Sequence, residues 1–331
     1  MLKSSKIILI TATALLVGGI GITGAAYAFS GFDPGIFVLR SKQAMTYERK
    51  TAEIGGDFRN IRVDCKTEDI RFLRSTDGKV SVQYSDCDKL KHNVAVEGDS
   101  LRITADDTRN WSFYFFNISI NDSNPRVYQP IYVYLPDGKE YGDISVQFRT
   151  GDIVNETKLV SENFTVNTNT GDIKSGDLES GTVGITANTG DITLENVKTK
   201  DLKAAIGTGD IKVGKAEADT TDLSTHTGDV TINSAGKGSL RIEISTGDAK
   251  LYDVEATTAD ISTHTGDIRL DGYKADDSRI RTGTGEINGS VIGDYQYKTS
   301  VNTGDIDVPD SAGEAKMDLS VRTGDIDISK R

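Results

Sequence analysis

The sequence predicts an all-β protein: a parallel β-solenoid of ten coils, about 19 residues each, behind a β-rich N-terminal cap and one N-terminal transmembrane helix. Three observations predict it. A Thr-Gly-Asp-Ile tetrad returns at constant spacing, apolar and polar residues alternate around each tetrad, and one long uncharged run lies near the N-terminus.

The glycines of the tetrad are Gly151, Gly171, Gly190, Gly209, Gly228, Gly247, Gly266, Gly285, Gly304 and Gly324, with seven spacings of 19 residues flanked by a spacing of 20 at each end. A fixed period of this length marks a repeat architecture in which each unit packs only on its neighbours. The residue before every one of these glycines is Thr. Two positions after them come Ile153, Ile173, Ile192, Ile211, Val230, Ala249, Ile268, Ile287, Ile306 and Ile326. Five before stand mostly aliphatic residues such as Val146, Ile185, Leu223, Ile261 and Leu319, and four after, residues such as Leu194, Val213 and Leu270. Alternation with a period of two is that of a strand with one buried face. Gly-Asp then forms the corner, because glycine supplies dihedrals that other residues avoid. A helical repeat is excluded by the β-branched load and by units too short for two helices. At ~4.8 Å between strands, ten coils would stack to roughly 48 Å.

The remaining segments follow in chain order. Lys3 and Lys6 precede an uncharged run over 7–32, long enough to cross a bilayer as a helix, with the lysines placing its start in the cytoplasm. Ala26-Tyr27-Ala28 offers the alternative of a signal peptide cleaved there, although the run exceeds the usual ~7–15 residue signal core. On either reading the rest of the chain leaves the cytoplasm. This gives a cytoplasmic tail at 1–6, an anchor at 7–32, a stalk at 33–50, a β-rich capping segment at 51–141 and the repeats at 142–331. Within the cap, Thr67-Glu68-Asp69-Ile70, with Val63 upstream, has the form of one degenerate coil.

The net charge is −12, and residues 151–331 alone carry 19 Lys and Arg against 32 Asp and Glu. That balance argues against nucleic acid, whose phosphates need a basic footprint. Cationic peptides, basic protein surfaces or cations suit an acidic surface better, and the expected partner is an unknown envelope protein, a cationic peptide or a glycan. Cys65 and Cys87 lie in the exported part, where an oxidising compartment permits a disulfide; the other reading is two buried thiols in neighbouring strands.

The anchor, the degenerate β segment and the repeated Thr-Gly-Asp-Ile corners together resemble the bacterial putative-adhesin family, catalogued as domain of unknown function 4097. The resemblance covers about residues 50–331 and includes Asp107-Thr108-Arg109-Asn110-Trp111 ahead of a Tyr134-Leu135-Pro136 strand end. It implies a Gram-positive-type envelope protein, often tethered and sometimes tied to envelope-stress regulation, with no established catalytic residues.

The corner acids Asp152, Asp172, Asp191, Asp210, Asp229, Asp248, Asp267, Glu286, Asp305 and Asp325 should form an acidic ladder. Each either accepts backbone N–H groups within its turn or joins a column for cations. His226 and His264, in identical Ser-Thr-His-Thr-Gly-Asp contexts, would lie two coils apart, about 9.6 Å, too far to share one metal. His92 reads as structural. Thr-x-Thr pairs such as Thr225/Thr227 suggest ice binding, but Phe148, Ile206, Ile244, Val301 and Val321 share the first threonine's column and want the core. Trp111, Phe113, Tyr114, Phe115 and Phe116 read as a cap over the open core or as a partner-facing patch. No nucleophile-elbow, zincin or P-loop string occurs, and no metal or other cofactor is expected. The expected function is non-catalytic: extracytoplasmic binding, adhesion or an envelope-stress scaffold at the cell membrane. The alternative is a β-helix enzyme acting on an envelope polysaccharide. Ile326 and Ile328, in the last coil, are expected to lie at an open edge available to a partner strand or a second copy.

Overall fold

The computed structural model describes residues 46–108, 130–236 and 238–331. The span expected at 7–32 and the aromatic cluster from Trp111 to Phe116 lie outside the described residues. Among the described residues there is no helix, and none therefore long and apolar enough to cross a membrane.

Tyr47–Arg331 forms one compact unit, a stack of rungs that are here named by their corner glycines. In the middle of the stack, single strands run 17 residues from one corner to the next, as in Ile192–Thr208 and Ile211–Thr227. They pair in parallel with a shift of one repeat, so Ile192 lies against Ile211, Leu194 against Val213 and Ala204 against Leu223. The repeat thus becomes ladders of like residues, fully buried at these six positions, and burying them supplies the main favourable term. The column three before the glycine faces inward: Phe148, Ile206, Ile244 and Val321 are buried, and Thr225, Thr263 and Thr282 with them. Thr225 and Thr282 donate to the carbonyls of Gly209 and Gly266, which satisfies their buried hydroxyls. The column therefore belongs to the core, as its apolar members led one to expect.

Corner glycines are needed on two counts. Their φ runs from 130° to 152°, a region that side chains rarely enter. From Gly171 to Gly324, a Cβ would also lie only 1.7–2.2 Å from the glycine carbonyl oxygen of the adjoining rung.

The ends of the stack do not follow chain order. Asn60–Asp64 and Ile70–Arg74 form the degenerate rung expected from Thr67–Ile70, and Gly151 stacks against Glu68 at its corner. That rung lies between the Gly151 rung and a further one made of Ser100–Asp107 and Ile131–Leu135. Antiparallel strands cover this end. Leu90–Glu97 lies on Ser100–Asp107, Val80–Asp86 lies on Ile131–Leu135, and Glu48–Ile54 lies on Val80–Asp86. A strand thus begins at Glu48, inside the stretch expected to be a stalk.

At the other end, Ala315–Thr323 is inserted between Ile268–Thr284 and Tyr295–Thr303. Ile326–Lys330 is likewise held between Ile287–Val291 and Ile306–Asp307. The rungs therefore run Gly285, Gly324, Gly304. This corrects the expected open edge: Ile326 and Ile328 are 1% and 3% exposed because the Gly304 rung lies over them. The apolar residue left at the end is Ile306, 46% exposed.

Cys65 and Cys87 are both buried and, of the two readings, the structure places them as thiols rather than as a disulfide. Burial, with Glu68 and Asp64 nearby, pushes the Cys65 thiol well above its ordinary range, which keeps it protonated and inert.

Candidate functional surface at the Gly-Asp corners

Stacking brings the corner acids together as a column, and the hydrogen bonds explain how like charges tolerate it. Oδ1 of each aspartate from Asp152 to Asp267 accepts the backbone N–H of the next corner acid at 2.8–2.9 Å. Asp69, in the degenerate rung, does the same for Asp152 at 2.7 Å, and Asp325 for Asp305 at 2.8 Å. A charge-assisted bond of this kind contributes about 1.5–3 kcal/mol. That exceeds the ~1 kcal/mol of repulsion between neighbouring exposed carboxylates. Glu286, one methylene longer, makes no such bond among the described residues, and it sits where the rung order departs from chain order.

One oxygen of each aspartate is thus structural, and the second remains on the surface. Lys250 occupies two of them, reaching Asp229 Oδ2 at 2.6 Å and Asp248 Oδ2 at 3.5 Å. Burial works against the Asp229 charge, but the Asp248 N–H and the Lys250 ammonium outweigh it and hold the carboxyl below its ordinary range. Asp152, Asp172, Asp191 and Asp210 are exposed, with no ion pair among the described residues. The described residues contain no group of three His, Cys, Asp or Glu placed to hold a metal.

His226 and His264 are exposed on this face, and His226 Nδ1 lies 3.1 Å from Ser245 Oγ. An open groove of about 670 Å³ crosses the Gly266, Gly285 and Gly324 rungs, lined by Arg269, Asp271, Glu286, Asp325 and Asp327. It is a widening of the same acidic ladder at Glu286.

A buried polar cluster in the cap was not legible in the sequence, because its members come from three strands. Asp86 accepts from the Lys50 ammonium at 3.0 Å and from the His92 backbone N–H at 2.9 Å, with the His92 ring Nδ1 also at 2.9 Å. The Asp86 and His92 side chains are 5% and 2% exposed, and Tyr84 packs against the imidazole at 5.0 Å. The His92 Nε2 has no hydrogen-bond partner among the described residues. Both Asp86 oxygens are committed, so the cluster ties the cap strands together, as the structural reading of His92 expected.

The comparisons with known proteins bear on this fold. Among the curated proteins none matches. Solved structures described as putative adhesins resemble it over most of their length. The one from Bacteroides fragilis is 16% identical, covers 86% of this chain and 97% of its own, and has a TM-score of 0.30. Those from Parabacteroides distasonis and Parabacteroides merdae are 14% and 11% identical, with TM-scores of 0.42 and 0.43. They cover 85% and 86% of this chain, and 97% and 96% of their own. The family model described as Toastrack DUF4097 matches residues 58–252 and 200–331, which together span every rung and the cap except its first strand, Glu48–Ile54. The chain belongs to the Toastrack DUF4097 family.

Proposed function

We propose that this protein is a non-catalytic component of the cell envelope, tethered through residues 7–32, whose stack of rungs presents a rigid acidic face to a cationic peptide or a basic protein surface. The supporting observation is the uniformity of the corner column. From Asp152 to Asp267 the same aspartate recurs in the same hydrogen bond, and along Asp152, Asp172, Asp191 and Asp210 its second oxygen has no ion pair among the described residues. Catalytic groups would single out one place on the stack. Here the charge is distributed with a repeat of about 4.8 Å, a spacing suited to repeated weak contacts that add by multivalency.

The ladder chemistry supplies a clean test. Asparagine keeps Oδ1 as an acceptor while removing the charge, so Asp172→Asn, Asp191→Asn and Asp210→Asn together should leave the fold intact. Binding of an oligolysine probe, measured by titration calorimetry, should fall at least tenfold and lose most of its salt dependence. A triple variant that binds as tightly as the wild type would remove the column from the binding face. Recovery of a ligand from an envelope extract, present with the wild type and absent with the variant, would identify the partner.

A further inference from the structure

Each rung hands the same groups to the next. Gly285 donates its N–H to the Thr323 carbonyl, and Ile287 donates to the Asp325 carbonyl, both at 3.0 Å. Gly324 and Ile326 do likewise to Thr303 and Asp305 at 2.9 and 3.0 Å, while Asp325 Oδ1 accepts the Asp305 N–H. In the Gly304 rung the equivalent groups are the Gly304 and Ile306 N–H and the Asp305 carboxylate. They face outward, and none has a partner among the described residues.

The core is open at the same place. Thr299 and Val301 are half-buried, whereas their equivalents Leu319 and Val321 in the rung beneath are fully buried. Residues 308–314 guard only the start of the rung, where Ala312 donates to the Tyr295 carbonyl and Tyr297 donates to Ser311 Oγ. From Thr299 to Ile306 no strand covers the edge among the described residues, while the opposite end of the stack is closed by antiparallel strands. Unpaired edges of this kind are templates for another chain.

The template restricts its occupant. A Cβ at a stacked corner meets the carbonyl oxygen of the glycine next to it, so the strand that continues the stack needs glycine over Gly304. It needs an N–H for Asp305 and apolar residues over Val301 and Ile306. We propose that the Gly304 rung is a strand-acceptor site for a second copy of this chain, which adds its residues 315–331 in parallel to the outer edge. That segment carries Gly324 at the corner, with Leu319, Val321, Ile326 and Ile328 in register. In its own chain it already rests on the Gly285 rung through the same glycine and +2 N–H groups. Its net charge is +1, with Lys316, Arg322, Lys330 and Arg331 against three aspartates. The acceptor edge bears Asp305, Asp307, Asp310 and Glu314, none ion-paired among the described residues. When the donor's segment leaves its slot, the donor's Gly304 rung can settle on its Gly285 rung through the same corner contacts. The site is independent of which ligand the acidic face carries.

The experiment titrates a fluorescein-labelled peptide of residues 315–331 against the full chain in detergent, read by anisotropy, alongside sedimentation of the full chain. The expected result is saturable 1:1 binding, reduced at least tenfold by Ile306→Lys in the chain or by Gly324→Val in the peptide. Wild-type chain should self-associate with concentration, and the Ile306→Lys chain, with an unchanged circular dichroism spectrum, should not. Binding that is absent, equal for a scrambled peptide or indifferent to Ile306→Lys overturns the proposal. A chain that takes the peptide yet stays monomeric assigns the edge to a foreign strand and overturns the second-copy reading.

Discussion

Gly228→Ala should be among the most damaging single-methyl changes available in this chain. The added Cβ would lie 2.0 Å from the Gly209 carbonyl oxygen and 2.5 Å from its carbon, where an ordinary carbon–oxygen contact is about 3.3 Å. The two rungs would have to part locally by more than an ångström. Three bonds cross that gap: Gly209 N–H to Thr227 O at 2.8 Å, Ile211 N–H to Asp229 O at 2.9 Å, and Asp229 N–H to Asp210 Oδ1 at 2.8 Å. Two neutral bonds at about 1 kcal/mol and one to a carboxylate at about 1.5–3 kcal/mol are lost or weakened. Holding alanine at a φ of 141° adds about 1–3 kcal/mol. The sum is ~4–8 kcal/mol, comparable with the whole stability of an ordinary domain. Because a rung stack is held by nearest-neighbour interfaces, the damage should concentrate on either side of the break. Urea denaturation followed by circular dichroism should show a lower midpoint. Hydrogen exchange by mass spectrometry should show protection lost first in the Gly209 and Gly228 rungs. Gly184→Ala is the control, since nothing lies within 4 Å of its Cβ and its φ is ordinary; it should change stability by no more than about 0.5 kcal/mol. If Gly228→Ala behaves like Gly184→Ala, the corner does not require glycine and the steric reasoning is wrong.

Asp86 contributes acid sensitivity to the cap. Burial opposes its charge, but the His92 backbone N–H, the His92 ring and the Lys50 ammonium more than offset this and hold its pKa below the usual carboxylate value. A depressed folded pKa means stability that is present above the unfolded pKa of about 3.9 and lost as pH falls through the folded value. Asp86→Asn should therefore lower cap stability at neutral pH and flatten its acid dependence below about pH 4; an unchanged acid profile would refute the pairing. Cys65 and Cys87 should resist a thiol reagent in the folded protein and both react in denaturant, with no mass change on reduction, whereas a two-dalton gain would show a disulfide. His226→Ala loses one exposed contact to Ser245 and should leave the unfolding midpoint within error, so a large shift would give that histidine a role the stack does not show. The tether reading expects intact protein in the membrane fraction beginning at Met1 or Leu2, and a mature N-terminus at Phe29 in the medium would replace the anchor with a cleaved signal.

The coil itself was legible in the sequence because its physics is local. A corner that admits only glycine, and a strand with one dry face, leave marks at fixed spacing, and even the degenerate Thr67–Ile70 coil could be read that way. The use of the aspartates was weighed but not decided there, since a carboxylate that bonds the next rung's backbone looks the same in sequence as one awaiting a cation. The Lys50–Asp86–His92 cluster was out of reach for a plainer reason, as three separate strands assemble it. Only the tertiary structure decided the order of the end rungs, and with it that Ile306, rather than Ile326 and Ile328, lies at the open edge. The physical reason is the repeat's own regularity: each corner offers its neighbour nearly the same donors, acceptor and apolar steps. Local chemistry therefore cannot tell which rung lies beside which, and the path of residues 308–314, carrying Ala315–Thr323 back beneath Tyr295–Thr303, settles it.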